Sequence, residues 1–261
     1  MTPEWIAVAW LTLLAAVGLA YFLWLYRRSD YDTWESCLYT PTYLLGRLLW
    51  RVHFTNQAPE ELRGGGVLAA NHRSSVDPFF VQLAARRRVH WMVAQEYCRH
   101  PAFGPLLRAL EVIPTNRSGM DTASTKAALR ITQERRLVGM FPEGKINRWG
   151  KPLLPLRGGA ALVAMRSQVP IIPLWIEGSP LGKSVWSPVL MPAHVKITFG
   201  TPIYPQDKAV AAEISSPQTA PTLTESDALI VQWGAQILTL AGQTTTPVEL
   251  ASQRKIRKRP S

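Results

Sequence analysis

The chain begins with an apolar, uncharged run that is long enough to cross a lipid bilayer. Residues 5–26 read WIAVAWLTLLAAVGLAYFLWLY. As a helix this run would extend over about 33 Å, compared with about 30 Å for the hydrocarbon core of a bilayer. Arg27 and Arg28 follow directly, so the positive-inside rule places the remainder of the chain on the cytoplasmic side. A cleaved signal peptide is the alternative, but it would have a basic start and a shorter apolar segment. We therefore expect residues 1–28 to form a single transmembrane anchor and the protein to be located in a membrane.

The charge balance is strongly basic, which limits the partners that suit the chain. There are 29 basic and 18 acidic residues, giving a formal net charge of +11. Such an excess attracts phosphate groups and acidic lipid headgroups, although a merely solvated basic surface would have the same composition. The sequence has no recognised nucleic-acid motif, so nucleic acid is not an expected partner. Two cysteines make no disulfide framework, and we find no metal-ligand spacing, so no metal is expected.

Between residues 64 and 199, short apolar segments alternate with longer amphipathic ones. The alternation predicts an α/β fold with a mostly parallel or mixed sheet covered by helices. The predicted strands are residues 64–70, 89–94, 112–115, 137–141, 171–176 and 195–199, and the predicted helices are 78–86, 101–110, 121–136 and 157–167.

Two further regions frame this domain. Pro41 interrupts a stretch rich in Trp and Leu, so we expect a helix to begin near residue 42 and to lie on the membrane interface or cap the core. Residues 206–225 are expected to form a loop and 226–241 a closing helix. The domain is thus predicted to span residues 29–245. The basic residues 246–261 are predicted to form a disordered tail.

The most specific motif lies directly after the first predicted strand, where residues 71–78 read NHRSSVDP. On a regular helix, His72 and Asp77 would lie about 140° apart, so they can meet only if the chain turns between them. Asp77 followed by Pro78 has the chemistry of a helix N-cap and first turn, which predicts such a turn. Asp77 could then hold one imidazole nitrogen and leave the other as a general base. A simple helix cap and a polar loop residue are the alternative.

Two other segments could bind a phosphorylated substrate. Residues 141–145 read FPEGK at the end of a predicted strand, where Glu143 could accept hydrogen bonds from a glycerol hydroxyl and Lys145 could bind phosphate. Arg117 follows the strand at 112–115 and could bind phosphate through two hydrogen bonds. A solvated surface turn is the alternative for each. Residues 169–173, VPIIP, are expected to be structural.

Together these segments resemble the glycerolipid acyltransferase family, whose best-known members are 1-acylglycerol-3-phosphate acyltransferases. The order and spacing of four sequence blocks match over about residues 65–205. The blocks are Asn-His-x-x-x-x-Asp at 71–77, a short strand ending at Arg117, Phe-Pro-Glu-Gly at 141–144 and Val-Pro-x-x-Pro at 169–173.

The resemblance implies an acyltransferase domain that uses His72 as general base and Asp77 as its orienting partner. A hydroxyl of a lysophospholipid would attack acyl-CoA or acyl-carrier protein directly, with no acyl-enzyme and no other cofactor. The first candidate acceptor is 1-acylglycerol-3-phosphate, which would give phosphatidic acid in phospholipid biosynthesis. The residues implied in substrate binding are Asn71, Arg117, Glu143, Gly144, Lys145 and Arg157.

The sequence also departs from the family pattern. Members that use lysophosphatidic acid commonly continue the third block as Glu-Gly-Thr-Arg-Ser, whereas residues 143–147 read EGKIN. That run is more similar to the tafazzin branch, which moves acyl chains between phospholipids. Glu111 stands where Gly is usual in the second block. A tafazzin-like transacylase, or an acyltransferase for another headgroup, is therefore the nearest alternative, and a non-catalytic lipid-binding protein is the alternative from a different class.

Overall fold

The computed structural model describes residues 3–101, 104–116, 122–205 and 224–252. Within these ranges, seven strands form a single sheet in the order β1-β7-β6-β2-β5-β3-β4. The strands are β1 (His53–Phe54), β2 (Gly66–Ala70), β3 (Val89–Ala94), β4 (Ile113–Thr115), β5 (Leu137–Met140), β6 (Ile171–Glu177) and β7 (Lys196–Phe199). Neighbouring strands are parallel except for the pair β6 and β7, which is antiparallel.

Helices cover both faces of this sheet. In chain order, the described helices are α1 (Pro3–Arg27), α2 (Thr33–Leu48), α3 (Asp77–Ala85), α4 (Gln95–Arg99), α5 (Gly104–Ala109), α6 (Thr122–Gln133), α7 (Gly159–Ser167) and α8 (Glu225–Leu240). Two short 3-10 turns lie at Glu60–Arg63 and Ser187–Leu190. The α/β fold class expected from the sequence is confirmed.

The central strand β2 divides the core into two layers because its side chains alternate between the faces. Leu68 and Ala70 belong to the cluster that includes residues of α2 and α3. Val67 and Ala69 belong to the second cluster, which includes residues of α6, α7 and α8. All five residues of β2 are buried, as expected for a parallel strand that is covered on both faces.

Helix α2 differs from the expected course of the chain. It begins at Thr33, where Asp32 and Glu35 form a reciprocal capping box, rather than near residue 42. Pro41 lies inside the helix and does not end it. The ring of Tyr39 is buried against Tyr31, with ring centroids 4.7 Å apart. Packing of this kind, together with the capped first turn, can outweigh the backbone hydrogen bond that a proline removes.

Helix α1 leaves nearly all of its apolar surface exposed. It spans Pro3–Arg27 with a mean hydropathy of 2.2 in its most apolar window, and none of that window is buried. Only Leu25 of this helix is buried. The helix is long and apolar enough to cross a membrane, in agreement with the expected N-terminal segment.

An ion-pair network lies near the amino ends of the central strands. Glu111 pairs with Arg88 and with Arg136, at 2.7 Å from the latter, and Arg88 also pairs with Glu35 of α2. Hydrogen bonds from these guanidinium groups lower the pKa of Glu111 to about 2. Glu111 has a φ angle of 50°, a left-handed conformation that glycine adopts most readily. This explains why glycine is suited to that position. In this chain Glu111 adopts the less favourable left-handed conformation and forms ion pairs there.

Most of the predicted elements are confirmed, with bounds within a few residues of those expected. Strand β1 and helix α4 were not predicted, since both are very short. Residues 206–223 of the expected loop and 253–261 of the expected tail lie outside the described residues. Residues 246–252 of the expected tail pack on the domain, since the Leu156 N–H donates to the Glu249 carbonyl at 2.7 Å and Leu250 is buried. The expectation of a disordered tail therefore does not hold for these seven residues. The other proposed domain boundaries stay predictions.

Candidate active site

Three loops meet at the carboxyl edge of the sheet, where β2, β5 and β6 end. The backbone N–H of Asn147, in the loop after β5, donates to the His72 carbonyl in the loop after β2 at 2.7 Å. The Ser75 hydroxyl donates to the Val185 carbonyl, in the loop after β6, at 2.7 Å. The edge of a parallel sheet at which strands end is the usual place for a site in an α/β fold.

His72 and Asp77 are in direct contact. Nδ1 of the imidazole lies 3.0 Å from Oδ2 of the carboxylate, and the Asp77 side chain is completely buried. The same oxygen accepts hydrogen bonds from the backbone N–H groups of Arg73 and Ser74, at 2.6 and 2.7 Å. The carboxylate therefore closes the turn that the spacing of five residues required.

The expected N-cap role of Asp77 was wrong. Asp77 is the first residue of α3, and the N-cap is Val76, which makes no side-chain capping bond. The reason is that the Asp77 carboxylate turns back to N–H groups that precede the helix, instead of forward to those of its first turn. A carboxylate in the first turn still interacts favourably with the positive end of the helix dipole.

The contact with Asp77 determines which nitrogen of the neutral imidazole carries the proton. A carboxylate only accepts hydrogen bonds, so Nδ1 of His72 donates and Nε2 carries the lone pair of the neutral ring. Among the described residues, Nε2 has no hydrogen-bond partner, and 15% of the side chain is exposed. The imidazole is thus oriented as a base that a substrate hydroxyl could reach.

Ser179 completes the surroundings of the Asp77 carboxylate. Its hydroxyl donates to Oδ1 at 2.7 Å from the loop after β6, so both carboxylate oxygens accept hydrogen bonds. Ser179 was not identified from the sequence, since it lies far from the His72 motif along the chain. Its position directly after a strand parallel to β2 is the signal that could have indicated it.

A stack of rings supports the imidazole from one side. The His72 ring lies 3.9 Å from that of Phe141, tilted by 10°, and Phe141 lies 4.9 Å from the ring of Trp91. Gly139 makes room for this stack, because a Cβ atom at that position would lie 2.6 Å from the Trp91 ring. Neither Trp91 nor Gly139 was singled out from the sequence.

Glu143 is buried and is directed at the backbone. Oε1 accepts from the N–H of His72 at 2.8 Å, and Oε2 accepts from the N–H of Leu154 at 2.9 Å. Burial raises the pKa of the Glu143 carboxyl above its ordinary value. These contacts hold the main chain at His72, and they differ from the glycerol contact that the sequence suggested for this residue.

Asn71 is likewise engaged with the backbone. Its side-chain amide donates to the carbonyl of Ile176 at 2.9 Å, and its side-chain oxygen accepts from the Ile176 N–H at 2.7 Å. Asn71 is completely buried. The Asn71 side chain thereby continues the hydrogen bonding between β2 and β6 beyond the last backbone pair of these strands. It holds the chain in place directly before His72.

Gly144 and Arg157 lie against each other at the edge of the site. Gly144 has a φ angle of +67°, and a Cβ atom there would lie 2.8 Å from Nε of Arg157. The backbone N–H of Arg157 donates to the Pro142 carbonyl at 2.9 Å. A glycine therefore suits this position for two reasons, since the turn requires positive φ and the guanidinium occupies the space.

Two further cations, Lys145 and Arg148, lie exposed beside these loops. Nζ of Lys145 lies 4.6 Å from the centre of the Trp149 ring, and Nη1 of Arg148 donates to the Lys183 carbonyl at 3.4 Å. Arg117, the other expected phosphate ligand, lies outside the described residues. Within the described ranges, no group of three or more His, Cys, Asp or Glu side chains is arranged to hold a metal ion.

Comparisons with known proteins identify the family to which this region belongs. The family model described as Acyltransferase matches residues 50–177, which contain the His72–Asp77 pair and the loop of Glu143. This region is an acyltransferase-family domain, and the resemblance seen in the sequence blocks is confirmed.

Individual relatives agree with that result. The chain is 30% identical over 157 residues to a 1-acyl-sn-glycerol-3-phosphate acyltransferase of Limnanthes douglasii, covering 59% of this chain and 56% of that protein. It is 25% identical to the Bacillus subtilis protein of the same name, covering 62% and 77%. The chain thus spans little more than half the length of the Limnanthes douglasii relative.

A solved structure has the same fold. The crystal structure of the 1-acyl-sn-glycerophosphate (LPA) acyltransferase from Thermotoga maritima superposes with a TM-score of 0.55 and 17% sequence identity. The match covers 96% of this chain and 94% of that one, so the shared architecture extends beyond the acyltransferase region.

Proposed function

We propose that the protein is an O-acyltransferase that moves a fatty-acyl group from acyl-CoA or acyl-carrier protein to a lysophospholipid hydroxyl. The acceptor we propose is 1-acylglycerol-3-phosphate, and the product is then phosphatidic acid. The observation that carries this proposal is the 3.0 Å contact between Nδ1 of His72 and the buried Asp77 carboxylate, in a domain of the acyltransferase family. The names of the Limnanthes and Bacillus relatives support the choice of acceptor.

In the proposed reaction, Nε2 of His72 takes the proton of the acceptor hydroxyl as its oxygen attacks the thioester carbonyl carbon. The tetrahedral intermediate then collapses, the C–S bond breaks, and the thiolate takes the proton back from the imidazolium. Asp77 stabilises the imidazolium through the hydrogen bond at Nδ1 and keeps the ring in place. A positioned histidine base typically contributes about 10²- to 10⁴-fold to the rate.

The basic side chains near Gly144 suit a phosphorylated acceptor. Lys145 is exposed in the loop after β5, and Arg157 lies against Gly144 in the same region. We propose that these two cations, together with Arg117, bind the acceptor phosphate. An ammonium acts there as a point charge, whereas a guanidinium can donate two parallel hydrogen bonds to phosphate oxygens.

We also propose that α1 anchors the protein in a membrane with the catalytic domain on the cytoplasmic side. None of the apolar window of α1 is buried within the described structure, and placing it in lipid removes that surface from water. Arg27 and Arg28 follow the apolar run, as the positive-inside rule requires for this orientation.

Mass spectrometry of reaction products tests the activity. The purified full-length protein is incubated with a panel of lysophospholipids that differ in headgroup, separately with acyl-CoA and with acyl-carrier protein. We expect phosphatidic acid from 1-acylglycerol-3-phosphate, formed at least about a hundredfold more slowly in the same reactions with His72→Ala. If no acceptor gives a diacyl product with either donor, the proposed activity is wrong.

A phospholipid transacylase is the second candidate because of the residues after Gly144. The third block continues as Lys145-Ile146-Asn147. Asn147 is buried, and its side-chain amide donates to the Lys151 carbonyl at 2.8 Å, so this loop is not built around a forked guanidinium donor. Isotope-labelled phospholipid and an unlabelled lysophospholipid, mixed without any thioester, distinguish the two activities. Label transfer under these conditions would favour the transacylase.

A further inference from the structure

We propose that the carboxyl edge of the sheet docks on the anionic lipid leaflet into which α1 inserts. The docking surface consists of Trp149 in the loop after β5 and of Leu181, Lys183, Trp186 and Leu190 in the loop after β6. This inference rests on the membrane attachment proposed above. It concerns a different part of the chain, because the docking surface belongs to the catalytic domain and not to the anchor.

The docking surface adjoins the His72 loop. The Ser75 hydroxyl, between His72 and Asp77 in the chain, donates to the Val185 carbonyl next to Trp186 at 2.7 Å. Nη1 of Arg148, next to Trp149, donates to the Lys183 carbonyl at 3.4 Å. The two loops that carry the docking surface are therefore joined to each other and to the loop of the candidate base.

Helix α2 runs from the amino edge of the sheet to the carboxyl edge. At its start, Glu35 pairs with Arg88, which directly precedes β3. Just after its end, the Trp50 carbonyl accepts from the N–H of Val195 at 3.1 Å. Val195 directly precedes β7, whose first residue pairs with Glu177 at the carboxyl end of β6. The C-terminal end of α2 thus lies at the edge that holds the candidate site.

Helix α1 packs against α2 and runs antiparallel to it. The short connection from Arg27 to Thr33 joins the two helices at the amino edge, where the N–H of Asp30 donates to the Arg86 carbonyl at 3.1 Å. Farther along the pair, the rings of Tyr21 and Tyr43 are 6.3 Å apart. Because α1 is the longer helix and Tyr43 is close to the end of α2, the N-terminal part of α1 projects past the carboxyl edge. The N-terminal part of α1 and the docking surface therefore lie at the same edge, whereas the C-terminal part of α1, around the buried Leu25, packs beside the domain. The leaflet on which the surface docks is then the one that receives the N-terminal part of α1.

The composition of the docking surface suits a lipid interface. The exposed fractions are 61% for Trp149, 61% for Leu181, 57% for Trp186 and 76% for Leu190. Tryptophan favours the level of the headgroups, and leucine gains from contact with acyl chains. Lys183 lies among these residues, and Arg148 lies beside Trp149, so anionic headgroups complement the charge of the surface.

A leaflet fits these features better than an acidic carrier protein does. Lysine and arginine alone would suit both partners, since both are anionic. Four large apolar side chains exposed on two neighbouring loops favour lipid, because a bilayer can bury all of them without a matching protein pocket. Docking would bring the headgroup layer, where a lysophospholipid presents its hydroxyl, against the loops that hold His72.

Fluorescence quenching at single cysteines measures the depth of the docking surface. The full-length protein, with Cys37→Ser and Cys98→Ser, carries an environment-sensitive fluorophore at Leu190→Cys, Leu11→Cys or Gln133→Cys. Each labelled protein is reconstituted into vesicles of phosphatidylcholine and phosphatidylglycerol. Quenching by nitroxide-labelled lipid is compared with quenching by aqueous iodide. Gln133 is the matched control, because it is exposed and lies at the amino edge, before β5.

We expect the labels at positions 11 and 190 to be quenched by the lipid nitroxide, and the label at 133 to be quenched only by iodide. A label at 190 that behaves like the one at 133 overturns the docking surface. A label at 190 that becomes shielded from iodide only when acyl-carrier protein is added also overturns it, and assigns the surface to that protein. A label at 11 that stays in water overturns both the anchor and the docking.

A charge variant tests the role of Lys183 in anionic vesicles. One lysine near an anionic membrane contributes about fivefold to binding, so Lys183→Gln should lower the ratio of shielded to unshielded label at 190 by about fivefold. No change is expected in pure phosphatidylcholine, nor for Arg63→Gln, an exposed control near the amino end of β2. Equal ratios for Lys183→Gln and the parent in both lipids would contradict the electrostatic part of the proposal.

Acyl transfer is measured on the same vesicles, which keeps the two proposals separate. A label at 190 in lipid without any diacyl product overturns the proposed activity and leaves the docking surface intact. Product formation with the label at 190 in water overturns the docking surface and leaves the proposed activity intact. Both readouts use the same labelled protein, so a loss of folding would appear in both.

Discussion

Glu143→Gln tests whether Glu143 positions His72 or binds the acceptor. The Glu143 carboxylate accepts hydrogen bonds from the backbone N–H groups of His72 and Leu154, at 2.8 and 2.9 Å. Glutamine has the same shape, but one of its two polar atoms is a donor, so one of these N–H groups would face another N–H. Leaving a buried donor unsatisfied costs about 1–3 kcal/mol. We expect the free energy of unfolding in detergent micelles to fall by that amount.

The stability loss caused by Glu143→Gln should depend on pH in a defined direction. Burial raises the pKa of the Glu143 carboxyl above its ordinary value of 4.5, so the folded protein holds this proton more tightly than the unfolded chain does. The contribution of Glu143 to stability is then fully present below pH 4.5 and declines as pH rises through the raised pKa. Because glutamine does not titrate, the difference between parent and variant should shrink at neutral pH. A difference that grows with pH would refute this reasoning.

Kinetics give the second readout for this substitution. A displacement of about 1 Å in a catalytic group can lower the rate by about 10²-fold, so a positioning role predicts a large fall in kcat with little change in KM for the acceptor. Glu177→Gln is the matched control, since Glu177 is exposed at the end of β6 on the same edge. An increase in KM with kcat retained would instead support the glycerol contact suggested by the sequence.

Further substitutions at Ser179 and Glu111 test other parts of the structure. Ser179→Ala removes the donor to the buried Asp77 carboxylate, and since hydrogen bonds to charged groups contribute about 1.5–3 kcal/mol, we expect a similar fall in unfolding free energy and a lower kcat. Glu111→Ala should be less stable than Glu111→Gly by about 1 kcal/mol, because both lose the ion pairs and only alanine keeps the left-handed strain. The pKa of Glu111 is lowered to about 2 by Arg88 and Arg136, so its contribution to stability is present above 4.5 and lost as pH falls toward 2. Glu111→Gln should lack this acid-dependent component in denaturation curves.

Each of these expectations has an outcome that contradicts it. A Ser179→Ala protein with unchanged kcat and stability would mean that the hydroxyl is not needed by the carboxylate. Equal stability of the alanine and glycine variants at position 111 would show that the backbone there is not strained. Parallel acid denaturation curves for Glu111→Gln and the parent would show that the ion pairs contribute nothing measurable, which is common for exposed pairs.

The sheet and the central pair of residues could be predicted from the sequence because both depend on local patterns. Short apolar runs such as 89–94 and 137–141 give buried strands wherever helices alternate with them. The spacing of His72 and Asp77 required a turn, and the structure has one. The mixed direction of the sheet was left open. The antiparallel pairing of β6 with β7 arises because the connection of residues 178–195 begins and ends at the same edge of the sheet.

The roles of the residues around His72 could not be predicted, because they depend on contacts between distant segments. Glu143 and Asn71 looked like polar groups available to substrate, but the folded chain directs them at the backbone of Leu154 and Ile176. Ser179 reaches Asp77 only because β6 lies beside β2. The helix through Pro41 was missed for the same reason, since tertiary packing outweighs the local preference of one residue.

The most direct test of the central claim is the rate of acyl transfer by His72→Ala in the full-length protein. We expect the rate to fall by about 10²- to 10⁴-fold, the usual contribution of a positioned histidine base. His53→Ala, an exposed histidine in β1, should retain the parent rate. A His72→Ala protein that folds and transfers acyl groups within tenfold of the parent would contradict the claim that His72, oriented by Asp77, is the base.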